Sequence, residues 1–107
     1  MLNEIQIRVL NSLMDDDESI ETIKSMLTNI DNFNTDNVKI IEALMFLFEN
    51  KYIVYIESVY DEQKRQYYPK NVECLDMTKI LEYWFRILDK GRDEVNKESY
   101  NKYFPES

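Results

Sequence analysis

Asn50-Lys51-Tyr52-Ile53-Val54-Tyr55-Ile56 is the stretch on which the fold turns. Before it, apolar residues recur at spacings of three and four. From Tyr52 onward, β-branched and aromatic residues follow one another without a break, which predicts a strand to about Tyr60. Working back from this switch, Val38, Ile41, Leu44, Met45 and Phe48 form the inward stripe of a helix capped by Thr35 or Asp36, with Asp31-Asn32-Phe33-Asn34 as the polar turn in front of it. A preceding helix carries Ile20, Ile23, Met26, Leu27 and Ile30 behind a cap at Asp17 or Ser19. A first helix spans Leu2 to Met14, with Leu2, Ile5, Val9, Leu10, Leu13 and Met14 on one face. Between these two lies Asp15-Asp16-Asp17-Glu18, which cannot continue an apolar stripe and complements the positive start of the next helix.

Working forward, Asp61 to Arg65 is a charged turn, and Gln66-Tyr67-Tyr68 reads as a short returning strand that Pro69 stops. Asp76 caps a short helix from Met77 to Leu81. Tyr83 to Leu88 fits a strand or a continuing helix, and its aromatic and β-branched content favours the strand. As a strand it sets Tyr83, Phe85 and Ile87 on one side and Trp84, Arg86 and Leu88 on the other. A last helix is expected from Asp89 to about Tyr103, anchored by Val95 and Tyr103. The expectation is one α+β domain over residues 1–104, with 105–107 as a disordered tail.

With 107 residues, 44% hydrophobic and 32% charged, the chain fits one compact domain and excludes a two-domain enzyme. It contains no histidine, a single cysteine (Cys74) and a single glycine (Gly91), which removes His-based acid-base catalysis, His or multi-Cys metal sites, disulfides and glycine-rich phosphate loops. No catalytic, cofactor-binding or metal-binding residues are assigned. Asp15 to Glu18 with Glu21 lacks the alternating ligands and turn glycine of a calcium loop. Cys74 lies between Glu73 and Asp76 with no histidine to activate it, so it reads as a bystander thiol. No apolar run approaches a membrane span, and Met1 leads into an amphipathic segment instead of a secretory leader, so a cytoplasmic location is expected.

Three helices followed by Ala43-Leu44-Met45-Phe46-Leu47-Phe48-Glu49-Asn50-Lys51-Tyr52-Ile53 resemble the winged-helix family, in which the third helix runs through a leucine-rich turn into the wing. A second segment, Phe85-Arg86-Ile87-Leu88-Asp89-Lys90-Gly91-Arg92, is similar to the aromatic-x-Leu-Thr-x-x-Gly-Arg pattern that closes the wing of many bacterial members and opens a final helix. The resemblance implies three N-terminal helices, a small antiparallel wing sheet and a C-terminal helix. Here the wing would carry a short inserted helix, since its connection, Asp61 to Glu82, is longer than a simple hairpin. Leu88 stands where the pattern has a capping threonine, so either Asp89 caps one residue later or the strand ends differently.

The family's usual occupation is DNA binding through the third helix, and charge argues against it. Residues 1–50 carry ten acids (Glu4, Asp15, Asp16, Asp17, Glu18, Glu21, Asp31, Asp36, Glu42, Glu49) against three bases (Arg8, Lys24, Lys39). A surface that grips phosphates needs the opposite sign, so nucleic acid is an unfavoured partner. The only segment resembling a nucleic-acid contact is Lys64-Arg65 at the expected wing tip, with Tyr67 and Tyr68 behind it. By charge and size the chain resembles small acidic bacterial immunity proteins and antitoxins. That resemblance implies a non-enzymatic protein that occludes the basic cleft of a toxin such as a nuclease, using Asp15, Asp16, Asp17, Glu18, Glu21, Asp31 and Asp36. The alternative is a transcriptional regulator that binds DNA through Lys64 and Arg65. The aromatic patch around Trp84 would serve partner docking or a homodimer.

Overall fold

Each of the leading helices begins where a side chain accepts a hydrogen bond from the first turn. The computed structural model describes residues 2–97 and Tyr103. In helix α1 (Glu4–Ser12), Asn3 and Gln6 form a reciprocal capping box. Helix α2 (Ile20–Asn29) is capped by Ser19, not Asp17, and helix α3 (Asn37–Glu49) by Asp36, whose Oδ1 accepts from the Lys39 N–H at 2.9 Å. The Thr35 hydroxyl is buried without a hydrogen-bond partner among the described residues.

α3 ends as the opening stretch requires. Lys51 takes a left-handed φ of 64°, the Tyr52 N–H reaches the Leu47 carbonyl and the Lys51 N–H reaches that of Phe48. This pair of bonds is the Schellman closure, here without the usual glycine. It turns the chain into strand β1 (Ile53–Asp61), which continues into β2 (Gln66–Asn71). A 3-10 helix (Met77–Glu82), capped by Asp76, leads to β3 (Trp84–Ile87) and helix α4 (Asp89–Val95). The stretch 83–88 is therefore strand at its centre. The fold is α+β, with one antiparallel three-stranded sheet in the order β2-β1-β3.

Several expectations need correcting. The buried face of α3 is Ile40, Ala43, Leu44 and Leu47, while Val38 is 62% exposed. Nine of its thirteen side chains are apolar, and Lys39, Glu42 and Glu49 mark an outward face that Phe46 shares, opposite Ile40, Ala43, Leu44 and Leu47. Ile30, at the C-cap of α2, is also exposed, and Ile7, outside the expected stripe of α1, is fully buried. Pro69 does not stop β2. The Val72 N–H donates to the Tyr55 carbonyl, and by alternation Pro69, opposite Ser58, falls at a position whose N points to the open edge. Leu88 is the N-cap of α4 with no side-chain hydrogen bond, so Asp89 does not cap. Of the expected last helix, residues 98–102 lie outside the described residues, as do residues 105–107; Tyr103 packs against the core.

The core joins the inner faces of the three leading helices to Ile53, Tyr55, Phe85 and Ile87 of the sheet. The fully buried Tyr55 ring meets Phe85 edge-on at 4.8 Å between centroids and Phe48 at 4.5 Å. α4 closes the bottom through Gly91. A Cβ there would stand 2.6 Å from the Tyr52 carbonyl oxygen and 2.7 Å from Ile87 Cγ1, so the one glycine of the chain sits where helix and sheet come too close for a side chain.

Candidate functional site

The β1–β2 hairpin runs past the core, because β2 is exposed along its whole length. Strand registers fix which side chains share its outer face. Ile56 pairs with Trp84 on one side and Asn71 on the other, Ser58 with Pro69, and Tyr60 with Tyr67. Since alternate residues point to opposite faces, Ile56, Ser58 and Tyr60 lie with Trp84, Pro69 and Tyr67 on the side away from the helices. Trp84 is 45% exposed there, and the Tyr60 and Tyr67 rings lie 5.1 Å apart.

The acidic segment between α1 and α2 is laid against this face. The Glu18 and Phe85 backbones exchange two hydrogen bonds, so a single residue acts as a further strand on the free edge of β3. Beside it the Asp17 carboxylate takes a forked pair from Arg86, with Nη2 to Oδ2 at 2.8 Å. On the far side the Arg92 guanidinium donates to the Met14 carbonyl at 3.0 Å. Asp16 and Asp17 thereby border a hollow of about 270 Å³ with Ile56, Ser58, Pro69 and Trp84.

The seven acids expected to form one partner-binding surface divide. Asp16 and Asp17 join the Trp84 hollow. Asp15 instead lines a hollow with Ile30 and the end of α4. Glu21 borders a groove of about 510 Å³ between α2, Asn37 and the exposed Leu81. Glu18 is half-buried; burial first, then the charges of Asp16 and Asp17, raise its pKa from its ordinary value. Asp36 is occupied as the cap of α3. Asp31 does structural work: its carboxylate meets Arg8 at 3.3 Å with side-chain exposures of 12% and 11%, and the same guanidinium holds Glu4 and lies over the Phe33 ring.

The alternative DNA surface is also visible. Lys64 and Arg65 are exposed in the hairpin turn, Arg65 with a left-handed φ of 53°. The outward residues of α3 include Val38, Lys39, Glu42, Phe46 and Glu49, of which Lys39 alone is basic. Among the described residues no group of three or more His, Cys, Asp or Glu is placed to hold a metal ion, and no helix is long and apolar enough to cross a membrane.

Sequence reasoning found Trp84 and the acids separately and missed what joins them. The alternation of Ile56, Ser58 and Tyr60 along β1 was available as a signal. The register that brings Pro69 and Tyr67 alongside is a tertiary fact. Comparisons with protein-family models, with curated proteins and with solved structures return no match.

Proposed function

We propose that this chain is a non-enzymatic, winged-helix-like protein-binding module that captures a basic protein, in the manner of an immunity protein or antitoxin closing a nuclease cleft. The winged-helix reading is supported by three helices, a strand leaving the third directly, a hairpin and a final helix pressed in by Gly91. The observation that carries the function is the shared hollow of Trp84, Asp16 and Asp17. An exposed tryptophan bordered by the Asp16 carboxylate and the Asp17–Arg86 pair has the anatomy of an interface anchor: a large aromatic surface supplies binding energy, and the charge Asp16 leaves beside it selects and steers a cationic partner. The outward face of α3 agrees, since Val38 and Phe46 beside Glu42 and Glu49 suit protein better than phosphate.

The test pairs two measurements. A labelled random duplex at low salt is expected to show no binding in a polarisation assay. Screened against the proteins encoded beside its own gene, the chain is expected to bind a basic one, at a rate that falls with added salt and falls again with Asp16→Lys. A second reading, DNA binding through the wing, has Lys64 and Arg65 at the exposed hairpin tip in its favour. Salt-sensitive duplex binding that disappears in Lys64→Glu/Arg65→Glu would establish it and remove the first.

A further inference from the structure

The outer sheet face holds more than one anchor. From Trp84, level with Ile56, to the Tyr60–Tyr67 pair is four residues of β1, about 13 Å at the rise of a strand. Between them lie Ser58 and Pro69, which carry no charge; at the Trp84 end Asp17 is paired with Arg86 of the same face, which leaves Asp16 as the carboxylate there without an ion pair among the described residues. The Trp84 indole N–H and the Tyr60 and Tyr67 hydroxyls have no hydrogen-bond partner among the described residues. The strip therefore presents aromatic surface, outward donors and a terminal carboxylate.

We propose that this strip docks an extended, proline-containing segment of the partner with an arginine or lysine beside Asp16. The inference rests on the protein-binding reading and names the form its partner takes. A polyproline II segment makes no internal hydrogen bonds and leaves its carbonyls open, so it matches a surface of donors on aromatic rings; a helix has consumed its own carbonyls. At about 3.1 Å per residue such a segment covers the strip with roughly four residues. Strand addition is disfavoured at both sheet edges, because Glu18 occupies that of β3 and Pro69 lacks the outward N–H at the centre of β2. The charge at the Trp84 end selects a cation.

Trp84 is the only tryptophan of the chain, so its emission reports directly on the strip. The full chain is titrated with a synthetic peptide of about nine residues carrying an arginine at one end and a proline at every third position. Two matched peptides replace the arginine by glutamate or every proline by glycine. A saturable change with a dissociation constant on the order of tens of micromolar is expected for the first, and at least about tenfold weaker binding for the others. By anisotropy of the labelled peptide, Asp16→Lys and Tyr60→Ser lower affinity about tenfold, while Val38→Ser on α3 does not change it. Circular dichroism verifies that each variant is folded.

Equal binding of the glycine peptide would overturn the proposal while leaving an acidic protein-binding surface standing. No binding of any peptide, with the basic neighbour's product still captured in an Asp16-dependent way, would do the same. Self-association in sedimentation that disappears in Trp84→Ser would assign the strip to a second copy and overturn it. Displacement of the peptide by duplex DNA would overturn both the proposal and the protein-binding reading.

Discussion

Gly91→Ala tests the closest approach in the molecule. On an isolated helix the change would stabilise by about 1 kcal/mol, because alanine loses less backbone freedom than glycine on entering a helix. In α4 the new methyl would lie 2.6 Å from the Tyr52 carbonyl oxygen, 2.7 Å from Ile87 Cγ1 and 3.1 Å from Leu10 Cδ2, against an ordinary contact of at least 3.4 Å. The Tyr52 oxygen cannot yield easily, since it accepts the Leu88 N–H at 2.9 Å just beyond the end of the β1–β3 ladder. Overpacking of this kind costs about 1–3 kcal/mol, and a backbone obstacle places it at the upper end. The net expectation is a loss of about 2 kcal/mol, which lowers Tm by roughly 8–16 °C for a domain of this size. Urea and thermal unfolding followed by far-ultraviolet circular dichroism measure it. Asp93→Ala, at an exposed position of the same helix, serves as the control and should stay within about 0.5 kcal/mol of the parent. A Gly91→Ala variant as stable as the parent would show that α4 does not press on the sheet at this distance, and the account of the chain's single glycine would fail.

Other consequences are equally open to measurement. Arg8→Met strands the nearly buried Asp31 carboxylate and should destabilise by about 3 kcal/mol, with Asp31→Asn in the same background restoring part of it in a double-mutant cycle. Glu18 binds its proton more tightly folded than unfolded, so its stabilising contribution exists at low pH and is lost as pH rises through the raised folded value. Its carboxyl should titrate by NMR higher in the folded than in the unfolded chain, and Glu18→Gln should equal or exceed the parent in stability at about pH 7, with the difference fading near pH 3. Lys51→Gly removes the left-handed strain after α3 and should raise stability by about 0.5–1 kcal/mol in urea titration. Pro69→Val returns an outward N–H to the edge of β2, and sedimentation velocity should then show concentration-dependent self-association beyond that of the parent.

Much of the fold was legible because local chemistry and tertiary structure agree. Ser19 and Asp36 cap where small polar residues precede apolar runs, Asp76 caps the short helix, and the alternation from Tyr83 to Ile87 separates buried from exposed residues as written. In α3 the polar positions Lys39, Glu42 and Glu49 carry the information that Ile40 and Leu47 face inward, and the apolar Val38 and Phe46 on the outward side obscure it. The other failures share a cause. Pro69 breaks a central strand but not an edge, and position in the sheet is invisible one strand at a time. Asp31 looked like its acidic neighbours until Arg8, distant in sequence, was found against it. Of the candidate site, Trp84 and the acids were legible, and their adjacency needed the Glu18–Phe85 pairing.

That pairing has a consequence for binding. Met14 to Glu18 would be a loose tether if only its composition mattered, yet Arg92 holds its beginning, Arg86 its middle and the Phe85 backbone its end. Asp16 is thus carried on a segment already fastened beside Trp84, and a partner arriving there does not have to freeze a wandering loop. Little conformational freedom remains to be surrendered on association, so affinity at this face should owe more to preorganisation than to the number of groups touched.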